Sequence, residues 1–172
     1  MNDFIKTLIA RRSIRAYQPE QVREEDLAQI LEAGTYAACG KGAQSGKIVV
    51  VQDKPTLDLL ERLNAEAWGK PDAKPFYGAP MVCVVLADTN IPTYLEDGSL
   101  IMGNLMAAAH SLGVGSCWIH RAKKVFATDE GKALLKKWGI SENYAAVAHC
   151  ILGYPAQDPE AKPRKADFIV RV

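Results

Sequence analysis

The residues best suited to chemistry lie near the start of the sequence, in the run Arg11-Arg12-Ser13-Ile14-Arg15. Guanidinium groups match phosphate oxygens and electron-rich heterocycle edges in charge and geometry, so the run could hold an anionic ligand. The run also follows a short amphipathic segment, and cations at the end of a helix are stabilised by the helix dipole without any ligand. Taken alone, the run favours this structural explanation, and the rest of the chain must decide between the two.

Two further segments carry groups that suit an anion. The glycine-rich stretch 37–46 contains Lys41 and Gln44, and loops of this kind present backbone N–H groups to anions and to hydrogen-bonding ring edges. The proline-punctuated tail contains Lys162 and Arg164. Each segment alone is a weak signal, because isolated basic residues in a loop are usually solvated.

The sequence lacks the common devices of protein-based catalysis. It contains no G-x-S-x-G, no G-x-x-x-x-G-K-[ST], and no G-x-G-x-x-G between a strand and a helix. The three histidines, His110, His120 and His149, are far apart, so a zinc site would need distant parts and no metal site is predicted. Several anion-binding segments with little acid–base apparatus indicate that a bound cofactor does the chemistry.

The overall composition limits the class of protein. The 172 residues are expected to form one domain, 1–172, and the formal net charge of +1 gives no general attraction to nucleic acid or membrane. The N-terminal residues do not resemble a signal peptide, and no apolar run is long enough to span a membrane. Four cysteines without a pairing pattern indicate a reducing compartment, so we expect a cytoplasmic protein.

The elements that must position these segments follow from apolar periodicity and from glycine and proline. The pattern predicts one sheet with helices on both sides and strands of mixed direction. Asp97 or Ser99 is expected to cap the third long helix. Helices are predicted over 3–11, 24–36, 57–68, 100–112 and 128–138, strands over 47–51, 81–87, 116–119 and 145–152, and an extended end over 168–170.

Four motifs in this order resemble the FMN-dependent nitroreductase family. They are R-R-S-I-R, A-A-C-G-K-G-A-Q-S before a valine-rich strand, G-V-G-S-C-W-I, and G-Y-P…K-P-R-K. Each motif is weak, whereas the ordered set spans nearly the whole chain and is specific. The resemblance implies an α+β fold, three-layer α/β/α with a central mixed, largely antiparallel sheet. It also implies a homodimer with two FMN molecules at its interface, and ping-pong transfer of electrons from NAD(P)H to a small acceptor.

The resemblance also implies a role for each matching residue. Arg11 and Ser13 match phosphate and pyrimidine contacts, Arg15 matches the cation beside flavin N1 and O2, and Arg12 belongs to the same cluster. Lys162 and Arg164 match a phosphate grip that is often supplied across the dimer. Cys39, Gly42 and Gln44 fall on the loop near the ring, and Trp118, Ile119 and His120 fall on the strand end that borders flavin N5.

The departures from the family pattern concern the substrate more than the cofactor. His120-Arg121 replaces a smaller or acidic pair, and His120 could donate a proton or could leave only its backbone engaged. Nitroaromatics, quinones or similar small acceptors are the expected substrates. A flavin-storage protein without efficient turnover, and a flavin enzyme of other chemistry such as reductive dehalogenation or flavin fragmentation, remain alternatives. No motif separates NADH from NADPH.

Overall fold

Four strands form one central sheet in the computed structural model, which describes residues 1–172. They are β1 (Gly46–Val51), β2 (Met81–Asp88), β3 (Gly115–Ile119) and β4 (Tyr144–Gly153). Their order is β1-β2-β4-β3, so β1 and β3 are the edges. All neighbouring pairs are antiparallel. The prediction of a largely antiparallel sheet is confirmed, and the prediction of mixed strand direction is wrong, because the sole parallel contact is an isolated bridge between Ser13 and Ser116.

The direction of β2 is decided by the stretch between Gly69 and Pro80. A helix crosses the sheet after β1, which would bring a directly following strand into parallel alignment. The irregular stretch instead returns the chain to the end of β1, where Val51 pairs with Val82. The sequence shows this stretch only as a loop, so its path across the sheet had to come from the tertiary structure.

The helices agree with the predicted pattern except at their ends. Each predicted helix is present, and one short helix was not predicted. The helices are α1 (Asp3–Ala10), α2 (Glu24–Thr35), α3 (Lys54–Trp68), α4 (Tyr94–Ser111), α5 (Ala122–Val125) and α6 (Asp129–Lys137), with a 3-10 turn at Gly40–Gly42.

Two apolar cores lie on opposite faces of the sheet. Val84 of β2 packs in the same core as Leu60 of α3, whereas the next residue, Val85, packs in the core that contains Ile30 of α2. Successive side chains of a strand point to opposite faces, so this central strand is buried on both sides. The layers are therefore α3, α5 and α6, then the sheet, then α2 and α4, which confirms the α/β/α arrangement.

Helix α4 begins earlier than predicted, because Asp97-Gly98-Ser99 lies inside it rather than before it. Asp, Gly and Ser usually mark a turn, so the sequence favours a cap at this place. Gly98 is helical because α4 approaches β4 closely, and a Cβ there would come 2.5 Å from Cγ2 of Val147. The prediction that Asp97 or Ser99 caps the helix is wrong. Asp97 is buried and forms hydrogen bonds to Gly40 and Ser45 instead.

Gly131 is expected to tolerate no side chain. It lies in the first turn of α6, where Thr128 caps its N–H at 3.0 Å, and a Cβ would meet the carbonyl oxygen of Val125 and come 2.7 Å from Cα of Phe126. Because these are backbone atoms, Gly131→Ala should lower the free energy of unfolding by about 3 kcal/mol. Denaturant titration measures this loss, and the neighbouring exposed Lys132→Ala should change stability by less than about 0.5 kcal/mol. Equal midpoints for the two variants would contradict the close approach.

Two apolar segments of the chain are left uncovered. Helix α1 has no buried residue, and its apolar side chains Phe4, Leu8 and Ile9 are 66%, 45% and 58% exposed. The final residues 168–172, predicted to be extended at 168–170, are exposed and pair with no strand of the chain. None of the helices has both the length and the apolar content that crossing a membrane requires.

Candidate cofactor site

The arginine cluster lies alongside the edge strand β3. The N–H of Ile14 donates to the carbonyl oxygen of Ser116 at 3.0 Å, and Ser13 forms a parallel bridge with Ser116. Helix α1 ends just before, where the N–H of Arg11 donates to the carbonyl oxygen of Thr7 at 3.0 Å. This pairing brings the first predicted motif next to the third, although about 100 residues separate them in the chain.

Arg11 and Arg12 use their guanidinium groups differently. Nη1 of Arg12 donates to the carbonyl oxygens of Ile9 and Arg11, both at 2.7 Å, so this side chain closes the end of α1. Nη1 of Arg11 is buried and has no hydrogen-bond partner. Oγ of Ser116 is also buried and also lacks a hydrogen-bond partner. A buried polar atom without a partner costs about 1–3 kcal/mol. An anionic ligand would satisfy the guanidinium of Arg11, so the site fits a phosphate-bearing cofactor.

Ser13 and Arg15 lie close to the thiol of Cys117 on β3. Burial raises the pKa of Cys117, while the positive charge of Arg15 and a hydrogen bond with Ser13 act in the opposite direction. Arg15 is exposed and has no acidic partner. Its charge is therefore free to act on a group bound along this edge.

The end of β3 carries three of the predicted site residues, Trp118, Ile119 and His120. The side chains of Trp118 and Ile119 point to opposite faces of the sheet and pack in opposite cores. His120 is exposed, and its carbonyl oxygen accepts a hydrogen bond from Nδ2 of Asn64 at 2.8 Å. The imidazole ring itself has no hydrogen-bond partner in the protein, so a catalytic role for it stays a prediction.

Replacing His120 with alanine decides between its two roles. If the ring donates a proton to the substrate, His120→Ala should lower kcat by about 100-fold and remove a pH-dependent limb of the rate profile. If only the backbone is engaged, the Asn64 bond survives and both the rate and the pH profile stay the same. Steady-state rates from pH 5 to 9 separate these results.

Asn64 belongs to a polar network that the sequence analysis missed. This buried residue of α3 binds the His120 carbonyl oxygen, Nε of Arg121 at 3.1 Å, and Nδ1 of His149 at 3.3 Å. His149 is fully buried, and burial together with the charge of Arg121 lowers its pKa to about 3. The signal in the sequence is an asparagine directly after Leu63, at a position of α3 that faces the core.

The glycine-rich loop is fixed by the buried carboxylate of Asp97. One oxygen accepts from the N–H of Gly40 at 2.9 Å and the other from Oγ of Ser45 at 2.6 Å. Burial raises the pKa of Asp97, but these hydrogen bonds outweigh it and hold the pKa below its ordinary value. Within the loop, the N–H of Gln44 donates to Sγ of Cys39 at 3.3 Å.

The loop backbone needs this anchor because several residues adopt the left-handed conformation. Lys41 has φ 54°, Gly42 has φ 66° and Gln44 has φ 48°. Only glycine adopts this region at no cost, and each of the other residues stores strain of about 1 kcal/mol. A cleft of about 370 Å³ lies beside the loop and is lined by residues of α2, β1 and α4.

Weakening the Asp97 anchor should cost stability in a pH-dependent manner. Asp97→Asn removes the charge from two hydrogen bonds and should lower the free energy of unfolding by about 1.5 kcal/mol at pH 7. Because folding lowers the pKa of Asp97, its contribution is complete above the ordinary carboxyl value of about 4 and is lost as the pH falls through the folded value. The difference between the variants should therefore shrink in acid. Asp72→Asn, at an exposed carboxylate without a partner, should change little at any pH.

The predicted site residues do not come together within one chain. The loop with Cys39, Gly42 and Gln44 precedes β1, at the opposite edge of the sheet from the arginine cluster. Three strand spacings place these edges about 14 Å apart. Lys162 and Arg164 lie in the exposed tail, where the guanidinium of Arg164 bonds only the carbonyl oxygen of Lys162. The structure thus places Arg11–Arg15 beside β3, where Ser13 pairs with Ser116, and leaves the other two groups apart.

Comparisons with known proteins agree with this fold. Residues 8–154 match the model of the nitroreductase family. A protein of Archaeoglobus fulgidus, provisionally named NADH dehydrogenase/NAD(P)H nitroreductase, is 31% identical over 93% of this chain and 90% of its own. The FMN reductase [NAD(P)H] of Bacillus subtilis is 28% identical over 95% of this chain and 70% of its own.

A solved structure gives the same result. The crystal structure of a nitroreductase with bound FMN from Bacteroides fragilis superposes with a TM-score of 0.91, covers 100% of both chains and is 30% identical in sequence. The chain therefore belongs to the nitroreductase family. It is an oxidoreductase of that family, and the resemblance predicted from its four motifs is confirmed.

Proposed function

We propose that the protein is an FMN-dependent oxidoreductase that takes electrons from NAD(P)H and reduces nitroaromatics, quinones or similar small acceptors in a ping-pong reaction. The observation that carries this proposal is the buried, unpartnered guanidinium nitrogen of Arg11, in the segment that pairs with Ser116 of β3. FMN is the bound group of the Bacteroides fragilis relative, and NAD(P)H stands in the names of both curated relatives. When bound, FMN would supply the carrier for two electrons between the two substrates.

The residues of the cluster divide the work of holding the cofactor. Arg11 would bind the phosphate, because its buried nitrogen has no partner in the protein and a phosphate oxygen would supply one. Ser13 would contact the pyrimidine edge, and Arg15 would stabilise the negative charge that reduction leaves near N1 and O2. Arg12 supports the same segment by closing α1.

The chain needs no nucleophile of its own for this reaction. Trp118, Ile119 and His120 would border the reactive edge with their backbone, held in place by the bond from Asn64 to the His120 carbonyl. Overall, a quinone takes up two electrons and two protons, the hydride coming from NAD(P)H and the second proton from water. Orientation of the two substrates is therefore the main contribution of the protein.

A homodimer would complete the site. The loop and the tail lie away from the arginine cluster of their own chain, so a second copy is the natural source of Cys39, Gly42 and Gln44 and of Lys162 and Arg164. The apolar residues of α1 and of the segment 168–172 are exposed in the single chain, and an interface would remove them from water. The four thiols are unpaired, which is consistent with the expected cytoplasmic location.

Flavin uptake and its reduction test the proposal directly. The purified protein mixed with FMN should bind one flavin per chain and should bleach within seconds of mixing with NADH or NADPH in a stopped-flow instrument. A protein that binds no FMN would contradict the proposal. A protein that binds FMN but is not bleached within minutes would be a flavin-storage protein, and a bleached protein that reduces no quinone or nitroaromatic would be a flavin enzyme of other chemistry.

A further inference from the structure

Arg121 is held more rigidly than an ordinary surface arginine. Its backbone is left-handed with φ 77°, which is unfavourable for a residue with a side chain. Its Nε donates to Oδ1 of Asn64 at 3.1 Å, and its Cζ lies 4.6 Å from the centre of the Trp68 ring. The strain of the turn is thus offset by contacts on two sides of one guanidinium group.

The amide of Asn64 can adopt only one orientation. Nδ2 faces the carbonyl oxygen of His120 and Nδ1 of His149, and Oδ1 faces the N–H of Arg121. The reversed amide would place oxygen against oxygen and N–H against N–H. Burial keeps His149 neutral, and an amide nitrogen can only donate, so Nδ1 of His149 is the acceptor of this bond. The proton of the ring is then assigned to Nε2, which is buried and has no hydrogen-bond partner. Each polar atom of the Asn64 amide therefore has a hydrogen-bond partner in this orientation.

The outer edge of the Arg121 guanidinium has no protein partner. No carboxylate lies within salt-bridge distance of it, and its only hydrogen bond uses Nε, the nitrogen nearest the main chain. The ammonium of Lys70 also lies over the Trp68 ring, 4.5 Å from its centre. Two cations therefore share one aromatic ring, and neither of them forms a salt bridge.

We propose that Arg121 is a specificity-determining residue that selects acceptors carrying a carboxylate, and that Asn64 is the residue that positions it. The proposal rests on the proposed function, because Arg121 directly follows His120 at the strand end assigned to the reacting edge. A guanidinium already fixed by Asn64 and Trp68 loses little conformational freedom when it binds an anion. Its two free terminal nitrogens match the two oxygens of a carboxylate.

Matched acceptors with and without a carboxylate test this inference. The KM values of 4-nitrobenzoate and nitrobenzene are measured with the FMN-loaded wild type and with Arg121→Gln. Loss of a charged hydrogen bond should raise the KM for 4-nitrobenzoate by about 10-fold. The KM for nitrobenzene should stay within about twofold, and kcat with each acceptor should be less affected than KM.

Three further variants make the result specific. Lys123→Gln removes the same charge two residues away and should leave the KM ratio of the two acceptors unchanged. Arg121→Gly removes the side chain but suits the left-handed backbone, so it should fold and repeat the effect of Arg121→Gln. Asn64→Ala should raise the KM for 4-nitrobenzoate and move the imidazole NMR signals of His149.

The outcomes also separate this inference from the proposed function. An unchanged KM ratio in Arg121→Gln, or the same change in Lys123→Gln, would overturn the role of Arg121 while the enzyme still turns over. Wild-type protein that binds no FMN or reduces neither acceptor would overturn the proposed function, and the role of Arg121 with it. A KM effect of Arg121→Gln without any effect of Asn64→Ala would overturn the positioning role of Asn64.

Discussion

Replacing Arg11 with alanine is expected to weaken FMN binding by about 30-fold. The reason is that Nη1 of Arg11 is buried beside β3 with no partner, so a phosphate would receive a charged hydrogen bond worth about 2 kcal/mol. Titration of apoprotein followed by flavin fluorescence measures the change in Kd. The fold should remain intact, because no hydrogen bond within the protein depends on that nitrogen.

Arg15→Ala is the matched control, since it removes the same group from the same segment. Arg15 is assigned to the negative charge on the reduced flavin, so this variant should retain FMN and lower the reduction potential of the bound flavin. Arg11→Ala that keeps stoichiometric FMN through dialysis would contradict the phosphate assignment. An unchanged potential in Arg15→Ala would contradict its placement beside N1 and O2.

Mixed dimers are expected to recover a site that each variant homodimer lacks. Arg11→Ala damages the cluster beside β3, and Asp97→Ala releases the loop at the other edge of the sheet. If each site takes its cluster from one chain and its loop from the other, a dimer of the two variants has one intact site and one with both defects. Such mixed dimers, purified through two different tags, should hold about one FMN per two chains.

The same experiment distinguishes a site shared between chains from a site within one chain. In the second case every site of a mixed dimer carries one defect, and FMN binding should be as weak as in the variant homodimers. Far-ultraviolet circular dichroism of each homodimer shows whether the chains are folded. A wild-type protein that elutes as a monomer in size-exclusion chromatography would contradict the shared site before any mixture is made.

Most of the elements could be predicted because their patterns are local. The acidic first turn and apolar stripe of α2, and the continuous apolar run of β2, follow from neighbouring residues alone. The start of α4 could not be predicted in this way. Gly98 is placed inside a helix by the close approach of Val147, which is 49 residues away in the sequence. The direction of β2 depends on the path of 69–80, where no periodic pattern exists.

The candidate site was likewise predicted in part from the sequence and decided in part by the tertiary structure. The four motifs identified the nitroreductase family, and the comparisons confirmed it. The motifs also marked the segments expected to bind the cofactor, and these stay a prediction. The resemblance matched Arg11 to the phosphate contact but gave Arg12 no role of its own, because the sequence does not show which side chain reaches the carbonyls at the end of α1. It also offered Asp97 as a helix cap, whereas the folded chain uses that carboxylate to hold the glycine-rich loop.

The sequence by itself determined the family and the order of the predicted helices and strands along the chain. It also determined the two groups of cations, in the first fifteen residues and in the tail. Only the tertiary structure decided that the cluster lies along β3, that the loop lies at the other edge, and that Asn64 holds His120 and Arg121. The physical reason is the range of the interactions. Local periodicity and caps act within a few residues, whereas the bonds of Asn64 join residues 56, 57 and 85 positions apart.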